Sequence, residues 1–493
     1  MNKILLLTFF LAVAGFAPVA AQEAFPGGLL LDDEAVYDGL PRLSRNPGLK
    51  TALPAFVSLE AYCPEVRHQG DIYSCVGWAV GYGALSIQRA IYNQCTDRNL
   101  ITSQAHSALF LFNQVKTDCQ KGARLSDAMA FLKEKGDCLA REFDLDVNDC
   151  DKLPAPDVAQ RAKRFAIADY LTLFEPSEPY QTKVEQVKTA LANKKAVVVG
   201  LQVRKNFYQL QQARFWWPDL GNTTPAGGHA LVVVGYDDRA GAFRLFNSWG
   251  PNWGERGYIW IKYEHFAQHA KYGYVLQLFG ASGPSAPHAA YDHLVAARPM
   301  AELAGAFQFR HLTGYDAYGK PAFGQDSVRY NGRYYTLSRK DWPVGQLFQL
   351  LVMSGRPEEY LYVFSIDARR QVKVHFPREE QVSGKIRRES GLVLPGNAAI
   401  VIPGPEKALQ LATPGTDRLI VLYCRQPIND LDGLCRILAQ YQGDFWSYLL
   451  RAIQRYVIPP SDIQYAPQQI QFKAQTRSAG YIVPLMLEVE CGG

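Results

Sequence analysis

The 493-residue chain contains no block of five or six like charges, and its formal charge of +5 is spread thinly along it. Mixed-sign stretches such as "DARRQVKVHFPREE" and "GKIRRES" read as solvated strand faces, so no nucleic-acid partner is expected. Beyond the N-terminal segment no stretch is long and apolar enough to span a bilayer, so no stable membrane insertion is expected. No cysteine follows the N-terminal apolar run, which argues against a lipid anchor there, and there is no internal repeat or low-complexity tract. Charged residues make up only 20% against 48% hydrophobic, ordinary values for a globular protein, so disorder is a poor reading of most of the chain.

The length exceeds what one hydrophobic core usually organises, and two domains are the starting expectation. "MNKILLLTFFLAVAGFAPVAAQEAF" has a basic Lys3, an apolar run and small residues at Val19-Ala20-Ala21, the architecture of a signal peptide over residues 1–21 cleaved after Ala21. A secreted or periplasmic protein is expected, in a compartment where disulfides persist. Nine cysteines (63, 75, 95, 119, 138, 150, 424, 435 and 491) are an odd set, so at least one is unpaired within the chain.

Residues 22–52 are rich in Gly, Pro and charge without a period, and read as an extended leader or short pro-segment on the surface. From about Leu53 structure signals become dense. Val76 to Tyr92 suits a buried helix despite Gly77, Gly81 and Gly83, which suggests close approach of another backbone. "SDAMAFLKEKG" reads as a helix with Ser126 as N-cap and Gly136 as its stop. "VEQVKTALANKKAVVVGLQV" reads as a helix ending near Asn193 and a buried strand Ala196–Val203; "GGHALVVVGYDD" and "AFRLFNSWG" are further strands. The fold class is α+β over residues 53–280. A Gly/Ser/Pro/Ala-rich linker at 281–300 leads to a β-rich second domain, 301–493, with a hairpin turning at Asn331-Gly332 and one helix, "DFWSYLLRAIQRYV".

A thiol attacks carbonyl carbon as thiolate, so a nucleophilic cysteine needs its pKa of about 8.5 lowered. Cys75 follows Ser74, a capping candidate, at the start of the buried helix, where the helix dipole acts in that direction; from position alone a half-cystine or a buried thiol is the commoner role. A base is also needed, usually a histidine fixed by a third group. His229, after Gly227-Gly228 and before an apolar strand, has backbone room beside it, and Asn247 ends the neighbouring expected strand.

Gln69-Gly70, Ser74-Cys75, "GGHALVVVGYD" and "NSWGPNWGERGYIWI" together resemble, in order and spacing, the motifs of the papain-like cysteine peptidases, over roughly Leu53 to Leu278. The resemblance implies a two-lobed domain, one lobe helical and one β-rich. It implies Cys75 as nucleophile, His229 as base and later acid, Asn247 as the group orienting the imidazole, and Gln69 as an oxyanion donor together with the Cys75 N–H. It implies Trp249 as the indole shielding the His–Asn hydrogen bond, and Gly122 and Gly228 among the substrate-binding positions. The implied partner is a peptide or protein substrate, with no metal and no organic cofactor.

The chain departs from the family pattern at Ile72, where a cysteine is usual, at Val76, where a tryptophan is usual, and at Ala123, which replaces a second glycine. Cys119 resembles a half-cystine whose usual partner is missing, with Cys95 as one replacement. The leader is too short for the long helical inhibitory propeptide of many relatives, so any latency must come from it or from the second domain. The second domain resembles uncharacterised β-rich modules appended to secreted bacterial enzymes. Its work is read either as binding another protein or a surface, or as structural, with Cys424 and Cys435 closing a local loop and Cys491 unassigned. The leading expectation is an exported cysteine peptidase. The alternatives are a catalytically inactive papain-like scaffold, for which Tyr73, Val76 and Ala123 are the positions that would obstruct the cleft, and a different Cys-His amidase or acyl transferase.

Overall fold

A computed structural model describes residues 27–44, 52–219, 221, 225–279, 301–355, 359–382, 385–393 and 399–492. The expected signal peptide at 1–21 and linker at 281–300 lie outside the described residues.

The first half is two-lobed. Residues 75–92 form one continuous buried helix, with its middle turn over Trp78–Leu85 wound as a π-helix. Its first part, residues 75–85, is apolar on every side and buried on every side, and its last turns bury Ser86, Gln88 and Arg89 as well. Gly77 lets it approach the helix Ala108–Val115 closely, since a Cβ there would fall 2.2 Å from the Ala108 carbonyl oxygen. The helix Leu125–Lys135 completes this lobe and stops at Gly136, whose φ of +77° suits glycine.

Opposite lies a sheet in the order Asp169–Thr172, Ala270–Gln277, Val197–Val203, Gly227–Asp237, Ala242–Phe246, Tyr258–Lys262, Phe215–Trp216. It is antiparallel except for the last pair, and Phe56–Ser58 adds to the far end of Gly227–Asp237. The central helix packs on Gly227–Asp237, which brings the start of one to the start of the other.

Two sheets form a sandwich over residues 301–492. One runs Ile400–Ile402, Leu347–Ser354, Ala301–Tyr315, Gln471–Thr476, Ile463–Tyr465; the other runs Val328–Tyr330, Tyr335–Leu337, Ile482–Gly492, Gly415–Cys424, Glu359–Ile366, Val372–Phe376. Side chains alternate across a strand. In "EYLYVFSI" and "DRLIVLYC" Leu361, Val363, Leu419, Val421 and Tyr423 point into the sandwich core. Their neighbours Tyr360, Tyr362, Phe364, Ile420, Leu422 and Cys424 join an apolar cluster continuous with that of the two-lobed domain. This sheet is therefore buried on both faces, which is why those strands read as unbroken apolar runs.

Several expectations need correction. Over its described residues 27–44 the leader is not a surface segment: Gly27, Gly28, Leu29, Asp32, Tyr37, Arg42, Leu43 and Ser44 are buried, and Glu34–Asp38 is a short helix. Ser126 is not the N-cap of its helix; it lies one residue inside, and its N–H and Oγ both donate to the Asp32 carboxylate of the leader. Ser74 precedes its helix without a side-chain cap bond. Cys119 pairs with Cys150, not Cys95, and Cys424 and Cys435 are both free thiols. Cys435 lies on Leu431–Ala439, a second helix in this domain that the internal Gly433 obscured. With seven free thiols among the described residues, the odd cysteine count singles out no residue.

Candidate active site

Cys75 opens the central helix and His229 lies at the start of the central strand, so the packing of helix on strand brings them together. The Cys75 thiol meets the backbone N–H of Ala230, the residue after His229. His229 Nε2 and Asn247 Oδ1 are 2.7 Å apart, and the same oxygen accepts from the Ser248 N–H at 2.8 Å. An amide oxygen already accepting one bond requires Nε2 to carry the proton, which leaves Nδ1 of a neutral ring as an acceptor. That Nδ1 is buried and has no hydrogen-bond partner among the described residues. Trp249 stacks on the imidazole with ring centroids 4.2 Å apart, beside the Nε2–Asn247 contact.

Gln69 is fully buried. Its Oε1 accepts from Ser248 Oγ at 2.7 Å, and its backbone N–H donates to the Ser248 carbonyl at 2.8 Å. These bonds tie the loop before Cys75 to the loop after Asn247, so the side-chain amide has little freedom. Its Nε2 donates to the Ile72 carbonyl at 3.0 Å and reaches the carbonyl of Gly27 at 3.5 Å.

Gly27 belongs to a strap, residues 27–44, that runs through the cleft between the lobes. Leu29–Leu30 pair in parallel with Ala123–Arg124, and the Ala123 N–H donates to the Gly28 carbonyl at 3.0 Å. Gly122, at φ +92°, is where the two backbones come closest: a Cβ there would lie 1.8 Å from the Gly28 carbonyl oxygen. Gly228 faces Leu29 in the same way, with a Cβ 2.4 Å from the Leu29 carbonyl oxygen. Sequence reasoning missed Tyr208, which stacks on Trp249 at 5.4 Å and sets its hydroxyl against Gly27 and Gly227. No motif signals it. Ser248 stood inside the quoted "NSWG" without a role.

Burial governs the electrostatics. Desolvation pushes the Cys75 thiol up to about 12, against smaller help from the backbone N–H groups of Ala230, Val76 and Cys75 itself. Desolvation pulls the His229 imidazole down to about 4, against the opposing bond from Asn247. With the strap in place, thiol and imidazole are both neutral at pH 7.

Residues 58–274 match the family described as papain family cysteine protease. This is a papain-family domain. An uncharacterised peptidase C1-like protein of Acanthamoeba polyphaga mimivirus is 23% identical over 202 residues, 40% of this chain and 64% of the relative. Mexicain of Jacaratia mexicana is 40% identical over 73 residues, 15% of this chain and 31% of the relative. The chain thus spans less than two thirds of these curated relatives. Among solved structures, xylellain, a cysteine protease from Xylella fastidiosa, is 24% identical with a TM-score of 0.40, covering 51% of this chain and all of the other. The match ends at residue 274, so the sandwich over 301–492 lies outside the papain-family domain. No described helix is long and apolar enough to cross a membrane.

Proposed function

We propose that the protein is an exported cysteine peptidase whose cleft is closed by its own leader. The observation that carries this reading is the His229 Nε2–Asn247 Oδ1 pair at 2.7 Å beneath the stacked Trp249, on the strand against which the helix opened by Cys75 packs. The apolar N-terminal run and the Cys119–Cys150 disulfide support export.

In the open enzyme His229 Nδ1 takes the thiol proton and the Cys75 thiolate attacks the substrate carbonyl carbon. The Cys75 N–H and Gln69 Nε2 stabilise the oxyanion; losing one such donor costs about 10²–10³ in turnover. Imidazolium then protonates the leaving amine, and water, deprotonated by the same ring, hydrolyses the thioester. No step needs a metal or organic cofactor. Asn247 holds the ring in the tautomer that accepts at Nδ1, and Trp249 keeps water from that bond. Gly122 and Gly228 supply backbone-lined edges for an extended peptide, a role the strap's own backbone imitates here.

The strap takes the positions a substrate backbone requires, including the Gln69 amide, so the closed form is latent. The decisive experiment is intact mass after treatment with an epoxide thiol inhibitor, before and after proteolytic removal of the leader. One adduct is expected on the trimmed wild type, mapped to Cys75, and none on Cys75→Ala. A folded, reduced, trimmed protein that forms no adduct at Cys75 refutes the nucleophile assignment and leaves the inactive scaffold. An adduct without turnover of any peptide amide points instead to acyl transfer to a different substrate class.

A further inference from the structure

The strap does not end in the papain-family domain. After Tyr37 it continues to Pro41-Arg42-Leu43, where it becomes a strand between two others. On one side Thr172 N–H donates to the Pro41 carbonyl and Leu43 N–H donates to the Thr172 carbonyl, each at 3.0 Å. On the other side Ser390 N–H donates to the Arg42 carbonyl at 2.5 Å, and Arg42 and Glu389 form a parallel bridge. Thr172 ends the edge strand of the papain-family sheet, whereas Glu389 and Ser390 belong to the sandwich domain.

The sandwich side is itself held firmly. Leu361 N–H, on a central strand of the sandwich, donates to the Gly391 carbonyl, and Leu392–Val393 pair with that strand. The Glu389 carboxylate accepts from Ser44 Oγ at 3.3 Å and pairs with Arg378 at 3.5 Å, both of these ionic side chains being largely buried. Arg378 in turn donates to the Val401 carbonyl. The helix Glu34–Asp38 of the strap packs beside Lys385–Arg388 of the same domain. Toward the papain-family domain, the Arg42 guanidinium donates to the Leu173 carbonyl and pairs with Glu175 and Glu178.

Arg42, Thr172 and Ser390 are all buried. Withdrawing residues 41–43 would therefore leave buried donors and acceptors of both domains without partners, a costly state for backbone groups. The strap is thus gripped from two sides at a point remote from the cleft, and one jaw is supplied by the accessory domain.

We propose that the β-sandwich domain functions as the clamp that keeps the strap in the cleft, so that access to Cys75 is controlled from the accessory domain. The proposal rests on the reading of the strap as the closing element, and the clamp adds to it the domain that sets how often the strap opens. Loosening the Glu389–Ser390 jaw raises the open fraction without touching any residue of the cleft.

The test uses the full chain and reads the rate at which iodoacetamide modifies Cys75, located by peptide mass spectrometry among the free thiols. Ser390→Pro removes the N–H that donates to the Arg42 carbonyl, and it is expected to raise that rate by about tenfold or more, a change equivalent to about 1.4 kcal/mol. Because this variant could fold poorly, the Ser44→Cys/Glu389→Cys pair provides a second measurement. Oxidised, it locks strap to sandwich and is expected to react at least about tenfold more slowly than the same protein with that bond reduced; wild type taken through the same treatments controls for Cys119–Cys150. Leu29→Asp, which disturbs the strap in the cleft, separates the two claims. Faster labelling of Leu29→Asp, with Ser390→Pro like wild type and the oxidised and reduced pair equal, overturns the clamp and leaves the strap standing. No acceleration in Leu29→Asp overturns the strap, and the clamp with it.

Discussion

Tyr37→Ala is the most direct test of whether the strap is held by specific packing or merely lies in the cleft. The Tyr37 side chain is almost fully enclosed. Its hydroxyl donates to the Phe174 carbonyl at 2.8 Å and accepts from the Gly273 N–H at 3.1 Å. Its ring meets Tyr272 at a centroid distance of 4.9 Å and Tyr274 edge-on at 5.4 Å. Truncating a buried aromatic to alanine typically costs about 3–5 kcal/mol. Leaving the Gly273 N–H and the Phe174 carbonyl without partners adds about 1–3 kcal/mol, less whatever water recovers on entering the gap. Taking only about 3 kcal/mol as the loss in strap docking, and one decade per 1.36 kcal/mol, the open fraction rises roughly a hundredfold. If Cys75 is modified only from the open form, its alkylation rate rises by the same factor. Tyr37→Phe keeps the ring contacts and loses only the hydroxyl bonds, so it should lie between wild type and alanine, about tenfold above wild type. The assay is the second-order rate of Cys75 modification at fixed pH, with circular dichroism establishing that both domains remain folded. Tyr37→Ala within about threefold of wild type would show that docking does not depend on this contact, since the smallest loss considered, about 1 kcal/mol, already gives fivefold.

The ionisation of the buried pair makes strap docking depend on pH. His229 titrates near 4 when covered and near its ordinary 6.5 when solvated, so the open form binds the extra proton, and docking weakens as pH falls from about 6.5 toward 4. Cys75 acts at the other end: its covered pKa of about 12 lies above the ordinary value of 9.0, so docking weakens as pH rises above about 9. Asp32, raised by burial, opposes His229 and favours docking once pH falls through its raised value. Corrected for the intrinsic pH dependence of amide exchange, hydrogen-exchange protection at residues 28–33 should therefore be highest between about pH 6.5 and 9, and Asp32→Asn should steepen the acid limb; protection that is lowest at neutral pH contradicts the assignment. Separately, Cys119 and Cys150 close a loop with a sequence separation of 31 beside the cleft edge, for which loop-closure entropy gives about 3–4 kcal/mol. Cys119→Ser should lower the melting temperature of the papain-family domain by several degrees, and an unchanged melting curve under non-reducing conditions refutes that contribution.

Much of this protein can be read without its structure. The central helix is legible because its first part, residues 75–85, is apolar on every side, and its glycines announce a close neighbour because glycine has little other reason to sit in a helix. The strand from Gly227 and the one from Ala242 are legible because they are short apolar runs ending in turns. Cys75, His229, Asn247 and Gln69 stand out as candidates because the proposed chemistry requires those residue types and their motifs preserve the spacing. The double burial of "EYLYVFSI" explains its unbroken apolar character, although the same run is consistent with other kinds of buried strand.

What the chain could not disclose is whatever depends on partners distant in sequence. A leader dense in glycine, proline and charge carries no period, so nothing local says that Asp32 caps the helix after Arg124 or that Tyr37 fills a pocket beside Gly273. Cys150 as the partner of Cys119 is a matter of Cα positions 6.0 Å apart across 31 residues, which spacing alone does not determine. Tyr208 gains its place only by stacking on Trp249. The amino-acid sequence by itself determined the chemistry available at the site, because reactivity resides in residue type and local spacing. Only the tertiary structure decided that this chemistry is covered, by a strap whose backbone bonds join two domains, because hydrogen bonding between distant segments leaves no period in the residues that make it.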